Sequence, residues 1–370
     1  MKQNRLKFTL ISILIGLLVG AIILLITGFN PIEAYSIMIK GIFGNPRYVV
    51  WAIIRSTPLI LTGISVAFAF RTGLFNIGAE GQFIVGTIAA ALVGYFWKLP
   101  PIIHVIVAIA AGVLAAAIWG GIAGLLKSKF GINEVISTIM LNWIAFYSNN
   151  FFVLWDKFKR PNKDASQRIL ETANIQILAK WKTTEAGKAW IVNNEFLGDI
   201  LKTPFNWGIV IAIAVAFLIK YIIENTTSGY ELRAVGHNKN AAEYGGIDVN
   251  KNMVKSMMIA GGISGLAGAL HVLGVSHEIA ILAAMEGYGF DGIAVSLIAG
   301  NNPISCIFAG LLFGSLKYGG QKIQPAMGAP SEVIDIMIGS IVFFIAIPKL
   351  IEIFRARKTR KRGGEVEASE

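Results

Sequence analysis

An all-α polytopic membrane protein of about ten transmembrane helices is the fold class this sequence predicts, and three observations predict it. The 370 residues are 55% hydrophobic and only 15% charged, with a mean hydropathy of +0.63, a balance that excludes ordinary soluble domains. Apolar runs long enough to cross a hydrocarbon layer of about 30 Å recur through most of the chain. The basic residues fall preferentially on alternate sides of those runs, as the positive-inside rule requires.

Lys2, Arg5 and Lys7 precede the first run, Phe8 to Thr27. It is too long for the apolar part of a signal peptide and no small-residue cleavage site follows, so it reads as an uncleaved span. Further spans are expected at Val49–Phe70, Gly78–Phe96, Ile102–Leu126, Glu134–Leu154, Phe205–Ile223, Val254–Val275, Gly289–Gly300, Ile304–Tyr318 and Val333–Leu350. This places both termini inside. Seventeen Lys and Arg residues then lie on inner segments and four on short outer loops. The long outer segment 155–204 holds nine more, together with Trp181 and Trp190, but long loops translocate largely regardless of charge. Residues 1–354 form one transmembrane domain, with an inner loop at 224–252 and a basic then acidic tail at 355–370. The run RARKTRKR at 355–362 reads as a topology anchor at anionic lipid rather than a nucleic-acid site.

Small residues recur every fourth position at Ala108, Gly112, Ala116, Gly120 and Gly124, and again at Gly261, Gly265 and Ala269. Stripes of this kind let helix backbones approach closely in lipid, so packing is their expected role. The eighth span is short and carries Asp291, as a broken or re-entrant helix would. EGQFIVGTIAAALVG at 80–94 and EGYGFDGIAVSLIAG at 286–300 share Glu-Gly and two later glycines. On the expected topology they run in opposite directions, the relation of an inverted repeat; chance matching from glycine abundance is the alternative.

Enzyme signatures come close and fail. His277-Glu278 begins an HExxH pattern, but Ile281 stands where the second zinc ligand belongs. Lys127-Ser128 resembles the end of a phosphate-binding loop, but Leu126 occupies the required glycine. The four histidines have no ligand spacing, and the single cysteine, Cys306, excludes an internal disulfide.

Polar residues at membrane depth are costly and usually face a pathway or another helix. The densest group is RTGLFNIGAEGQ at 71–82, where Asn76, Glu80 and Gln82 are candidates for hydrogen bonding a polar solute. Equally, Asn76 could cap the third span and Glu80 could complement its dipole. Asn142, next to Trp143, offers an amide beside a ring for a sugar or base, or an interhelical hydrogen bond. Phe290 and Asp291 make the same offer from the second half, with a helix-start role as the alternative. GYELRAVGHNKNAAEYGGI at 229–247 is a polar island between apolar segments. A short helix is expected at Asn238–Tyr244, with Gly236 and Gly245-Gly246 supplying sharp turns at its ends.

At RTGLFNIGAEGQF and LRAVGHNKNAAEYGGI the chain resembles permease subunits of ABC importers, in the branched-chain amino acid and simple-sugar permease superfamily and within it the nucleoside and simple-sugar branch. The resemblance covers roughly residues 50–350. It implies a bacterial-type plasma-membrane protein that imports a small polar solute, a purine nucleoside before a sugar such as ribose or a branched-chain amino acid. It also implies a separate ATP-binding subunit that uses ATP and magnesium, a second permease subunit, and an extracytoplasmic binding lipoprotein. No cofactor is expected in this chain. The coupling helix of the family falls on Asn238–Tyr244, with Arg233, Gly236, Asn238, Ala241, Ala242, Glu243 and Gly246 as contact candidates. Glu243 follows Ala241-Ala242 here, whereas other ABC importers place the glutamate first. On the residues alone, an ion-coupled transporter using Glu80 and Asp291 is the competing class. For the outer segment 155–204, docking of the binding protein competes with a solvated insertion.

Overall fold

A computed structural model describes residues 2–345, and the side chains of residues 14–345. The basic tail at 355–370 lies outside the described residues. In chain order the helices are α1 (Lys2–Ile26), α2 (Pro31–Phe43), α3 (Pro46–Arg71), α4 (Ala79–Phe96), α5 (Pro101–Phe130), α6 (Glu134–Leu154), α7 (Ala179–Thr183), α8 (Glu185–Asn193) and α9 (Glu195–Leu201). There follow α10 (Gly208–Asn225), α11 (Thr227–His237), α12 (Lys239–Tyr244) and α13 (Val249–His271), which runs into a π-helical turn at Val272–Ser276. Then come α14 (Tyr288–Ala299), α15 (Pro303–Gly320), α16 (Ile323–Met327) and a last helix over 331–345. Among the described residues there is no strand, only three isolated β-bridges. The all-helical class is therefore as expected.

Among the described residues five helices are long and apolar enough to cross a membrane: α3, α4, α5, α10 and α13 with its π turn. Local chemistry sets their ends. Asn133 caps α6 by accepting from Val135 N–H at 2.8 Å, and Asp248 caps α13 by accepting from Lys251 N–H at 2.9 Å. Gly131 closes α5 at φ +66°, a left-handed backbone that suits a residue without Cβ.

Among the described residues the chain divides into two compact units, one over 46–315 and one made of the stretches before 46 and after 315. Within the terminal unit α1 and α2 meet at a 120° bend, and the Tyr35 hydroxyl donates to the Leu17 carbonyl at 2.7 Å. Helix α2 was unexpected, because thirteen residues are too few to cross hydrocarbon and the stretch reads as a loop.

In the central unit α3 is the innermost of the spanning candidates, with 78% of its apolar window buried against 22% for α5. The two small-residue stripes face each other, as packing requires. A Cβ on Gly265 would collide with Ala116 Cβ, one on Gly261 with the Ala116 carbonyl, and one on Gly112 would lie 2.9 Å from Ala269 Cβ. Only the absence of side chains lets α5 and α13 pack backbone to backbone.

The segment 155–204, expected on the outer side and called the outer layer below, is folded against the stretch that follows α13. Ser166 N–H donates to the Ile279 carbonyl at 2.8 Å, Ile169 N–H to His277 at 2.9 Å, and Ile281 N–H to Asp164 at 2.9 Å. Phe158 is wholly buried, and Arg160 Nη1 and Arg168 Nε lie 2.8 and 3.3 Å from the same oxygen of Glu278. The abortive zinc motif thus supplies an ion-pair partner. Lys182, half-buried in this layer, has its pKa lowered by desolvation.

Candidate functional site

The segment 72–78 enters the bundle as an irregular loop that side-chain amides hold in place. Asn76 and Gln82 exchange two hydrogen bonds, Nδ2 to Oε1 at 3.0 Å and Nε2 to Oδ1 at 3.2 Å. Asn76 Oδ1 also accepts from Gly78 N–H at 3.0 Å. From α6, Asn142 Oδ1 accepts from Gly81 N–H at 2.8 Å while its Nδ2 donates to the Ile77 carbonyl at 3.0 Å. A buried amide left unpaired would cost about 1–3 kcal/mol, so these bonds fix the start of α4. Asn142 is 1% exposed and Trp143 48%. Neighbouring residues on a helix point about 100° apart, so the amide and the ring do not face one solute.

Glu80 stands in the first turn of α4 and is wholly buried. Its carboxylate reaches across to the start of α14, where Oε1 accepts from Gly287 N–H at 2.8 Å and Oε2 from Gly289 N–H at 2.6 Å. The helix dipole it complements at this contact belongs to α14. The starts of the two helices meet at this carboxylate. Helix α4 ends where the Gly94 carbonyl accepts from Leu170 N–H of the outer layer. Helix α14 ends near Asn301, whose carbonyl accepts from Arg71 Nε at 3.0 Å.

Beside this junction lies a cavity of about 400 Å³ lined by Trp51, Ile54 and Arg55 of α3, His271 and Val275 at the end of α13, Glu286, and Tyr288. A smaller one of about 100 Å³ shares His271 and Glu286 and adds Thr87, Asn149 and Glu278. Phe83, His271 and Tyr288 form a ring cluster with centroids 5.1–5.9 Å apart. Pro58 in α3 has no N–H to give the Ile54 carbonyl, and the π turn interrupts α13 beside Val275; both irregularities are of the kind found at functional sites. None of Asn76, Glu80, Gln82, Asn142, Phe290 and Asp291 lines either cavity.

Sequence reasoning missed Trp51, Arg55, His271 and Tyr288 as site residues. Arg55 carried a usable signal, being an ionisable residue within an apolar run. The cation is exposed in a helix that otherwise has the composition of a span.

At the other end of α14, the polar island folds as two helices. Thr226 caps α11 by accepting from Gly229 N–H at 3.0 Å, and Asn238 caps α12 by accepting from Ala241 N–H at 3.1 Å. Gly236 is inside α11 rather than in a turn, a correction with a steric cause: a Cβ there would collide with the Arg71 carbonyl. The turn after α12 is made by Gly246 at φ +78°. Ala241 and Glu243 are exposed and Tyr244 is 98% exposed, whereas Ala242 is buried. Arg233 is half-buried, its Nε donating to the Gly229 carbonyl at 3.4 Å. Among the described residues no cluster of His, Cys, Asp and Glu could hold a metal ion.

Comparison with known proteins gives these features a context. Residues 48–346 match the model of the branched-chain amino acid transport system permease component family. The guanosine ABC transporter permease protein NupP of Bacillus subtilis (strain 168) is 40% identical over 98% of this chain and 99% of its own length. The nucleoside ABC transporter permease protein NupB of Lactococcus lactis subsp. cremoris is 33% identical with the same coverage. The glucose ABC transporter permease protein TsgB13 of Haloferax volcanii is 26% identical over 93% of this chain and 88% of its own. A multi-pass helical membrane protein with an irregular bundle centre and an exposed helical hairpin at one end, this chain belongs to the branched-chain amino acid transport system permease component family.

Proposed function

We propose that the chain is the membrane-spanning subunit of an ATP-driven importer that carries a nucleoside, a purine nucleoside first, into the cell. The observation that carries this reading is the cavity beside Glu80. Trp51 and Tyr288 offer faces for stacking a base, and Arg55, His271 and Glu286 offer hydrogen bonds to its edge and to sugar hydroxyls. Its volume falls in the range of about 300–1,000 Å³ typical of small-molecule sites. The names of the relatives that align end to end favour the same substrate class. The glucose permease keeps a simple sugar as the second reading, and the family description keeps a branched-chain amino acid as the third. Family membership sets aside the ion-coupled alternative.

In this reading α1, α3, α4, α5, α6, α10, α13, α14, α15 and the last helix are ten spans with both termini cytoplasmic, and α4 and α14 are counterparts in an inverted repeat. The meeting of their starts at Glu80 supports that pairing. Arg55 would not face hydrocarbon, so its wall of the cavity faces a second permease subunit. The exposed face of α12 receives the ATPase subunit, which binds ATP and magnesium. The outer layer receives the binding lipoprotein. Asn76, Gln82 and Asn142 hold the pathway open from behind the cavity, with Phe290 and Asp291 in the first turn of α14.

The test is ATP-dependent uptake of labelled guanosine, adenosine, ribose and leucine into vesicles holding the complete complex. Guanosine or adenosine should lead. Preferred uptake of leucine or ribose would overturn the nucleoside assignment.

A further inference from the structure

The cavity wall contributed by residues 286–288 has no regular structure of its own before α14 begins. The chain arrives from His277 through an irregular stretch, and turns at Gly287 with φ +85°. Glu286 and Tyr288, the two lining residues of this wall, flank that turn. Two contacts orient it. The Thr62 hydroxyl donates to the Tyr288 carbonyl at 2.9 Å, and the Glu80 carboxylate takes the N–H groups on both sides of Tyr288. Glu80 itself is held in a rigid frame, because the Asn76–Gln82 pair and the two Asn142 bonds leave the start of α4 no slack.

The space around this grip is closed. A Cβ on Gly289 would collide with the Glu80 backbone N and the Ala79 carbonyl carbon, and one on Gly292 would collide with Thr62. Such an approach of two helix starts is possible only with glycine on one of them. A negative side chain between two helix N-termini is electrostatically favoured by both dipoles. Glutamate therefore suits the position for charge, for reach and for its two acceptor oxygens.

We propose that Glu80 is a positioning residue of the transport cavity: it fixes Glu286 and Tyr288 on the frame of α4 without itself touching the solute. The inference rests on the cavity being the solute site. Because α14 continues to the Arg71–Asn301 contact, and Arg71 packs on Gly236 of α11, the same grip ties the cavity wall to the coupling end of the subunit. Releasing it should leave the ATPase running while the wall no longer follows.

The experiment uses the complete complex in proteoliposomes and reads solute transported per ATP hydrolysed, for each of the four labelled solutes, together with folded yield. Glu80→Gln keeps the shape but offers one acceptor oxygen to two donors. It should lower transport per ATP about tenfold, the loss expected when hydrogen bonds to a charged group are removed. Yield and basal hydrolysis should stay within about twofold of the unaltered complex. Gly289→Ala should give the same phenotype with Glu80 intact, and Glu80→Asp should recover part of the loss. Tyr288→Ala serves as the direct-contact comparison. If Tyr288→Ala uncouples and Glu80→Gln does not, the positioning role is overturned while the cavity reading stands. If neither changes transport per ATP, the cavity reading falls, and the positioning role with it. If Glu80→Gln lowers yield, hydrolysis and transport in equal proportion while Gly289→Ala behaves as the unaltered protein, Glu80 is a folding residue only and the proposal fails.

Discussion

Gly236 of α11 lies so close to the carbonyl of Arg71 that any Cβ at that position would collide with it. The contact joins the polar hairpin α11–α12 to the turn at the end of α3, and through Arg71 to the end of α14. The hairpin is therefore anchored to the same helices that reach the cavity.

Gly236→Ala should force the hairpin away from Arg71 and destabilise the subunit by about 1–3 kcal/mol, the usual cost of overpacking. Thermal unfolding of the purified permease in detergent checks this. A melting temperature equal to that of the unaltered protein would show that the hairpin moves aside freely.

Glu243→Lys makes the opposite prediction. The residue is exposed on α12, so stability should change by less than about 0.5 kcal/mol, while ATP-driven uptake falls several-fold. Paired melting and uptake measurements separate the two variants; unaltered uptake would remove Glu243 from the ATPase contact.

Two glycines of α13, Gly262 and Gly265, give an internal comparison for the packing of α5. Gly265→Ala drives a methyl group into Ala116 and should cost about 1–3 kcal/mol. Gly262→Ala meets its nearest neighbour, Val113 Cγ1, at 3.4 Å, and should be tolerated. Equal melting temperatures for the two variants would contradict the close approach.

The outer layer should loosen in acid through His277. Its Nε2 is 2.8 Å from Gln176 Nε2 and accepts a hydrogen bond from it, while its Nδ1 is buried without a partner among the described residues. Burial, then the cation of Arg168, hold its pKa below the ordinary 6.5, and Glu278 opposes them; Arg160 neutralises part of that acidic charge. Below about pH 6.5 the opened state binds a proton that the closed state refuses, so stability is present above that value and is lost as pH falls towards the depressed pKa. Hydrogen exchange at Ile169 and Ile175 should therefore accelerate, relative to its intrinsic rate, as pH falls below the ordinary 6.5. His277→Gln should remove the dependence.

The outer layer also offers exposed cations, among them Lys180 and Lys188. If the layer docks the proposed binding protein, their joint replacement by glutamate should weaken that association in a salt-dependent way and leave insertion unchanged. Deleting residues 160–198 is the harsher test, because it also removes the pairing of 164–169 with 277–281. Affinity unchanged by the charge reversal would place the docking surface elsewhere.

Much of the helical layout was legible in the sequence because hydrocarbon imposes a length and a composition on each segment. Glu134–Leu154 coincides with α6, and the small-residue spacing in the fourth and seventh runs announced the α5–α13 contact. The cavity was not legible, because its walls come from Trp51 and Arg55, His271, and Glu286 and Tyr288, which lie far apart along the chain and have no shared spacing. Glu80 shows the division between the two levels. By itself the sequence determined that a carboxylate sits at the start of a glycine-rich span, where a helix dipole or a solute could claim it. Only the tertiary structure decided that Gly287 and Gly289, more than two hundred residues on, receive it. The physical reason is that a hydrogen bond depends on where two backbones meet, and glycine at the meeting point removes the side chain that would have marked it in the sequence.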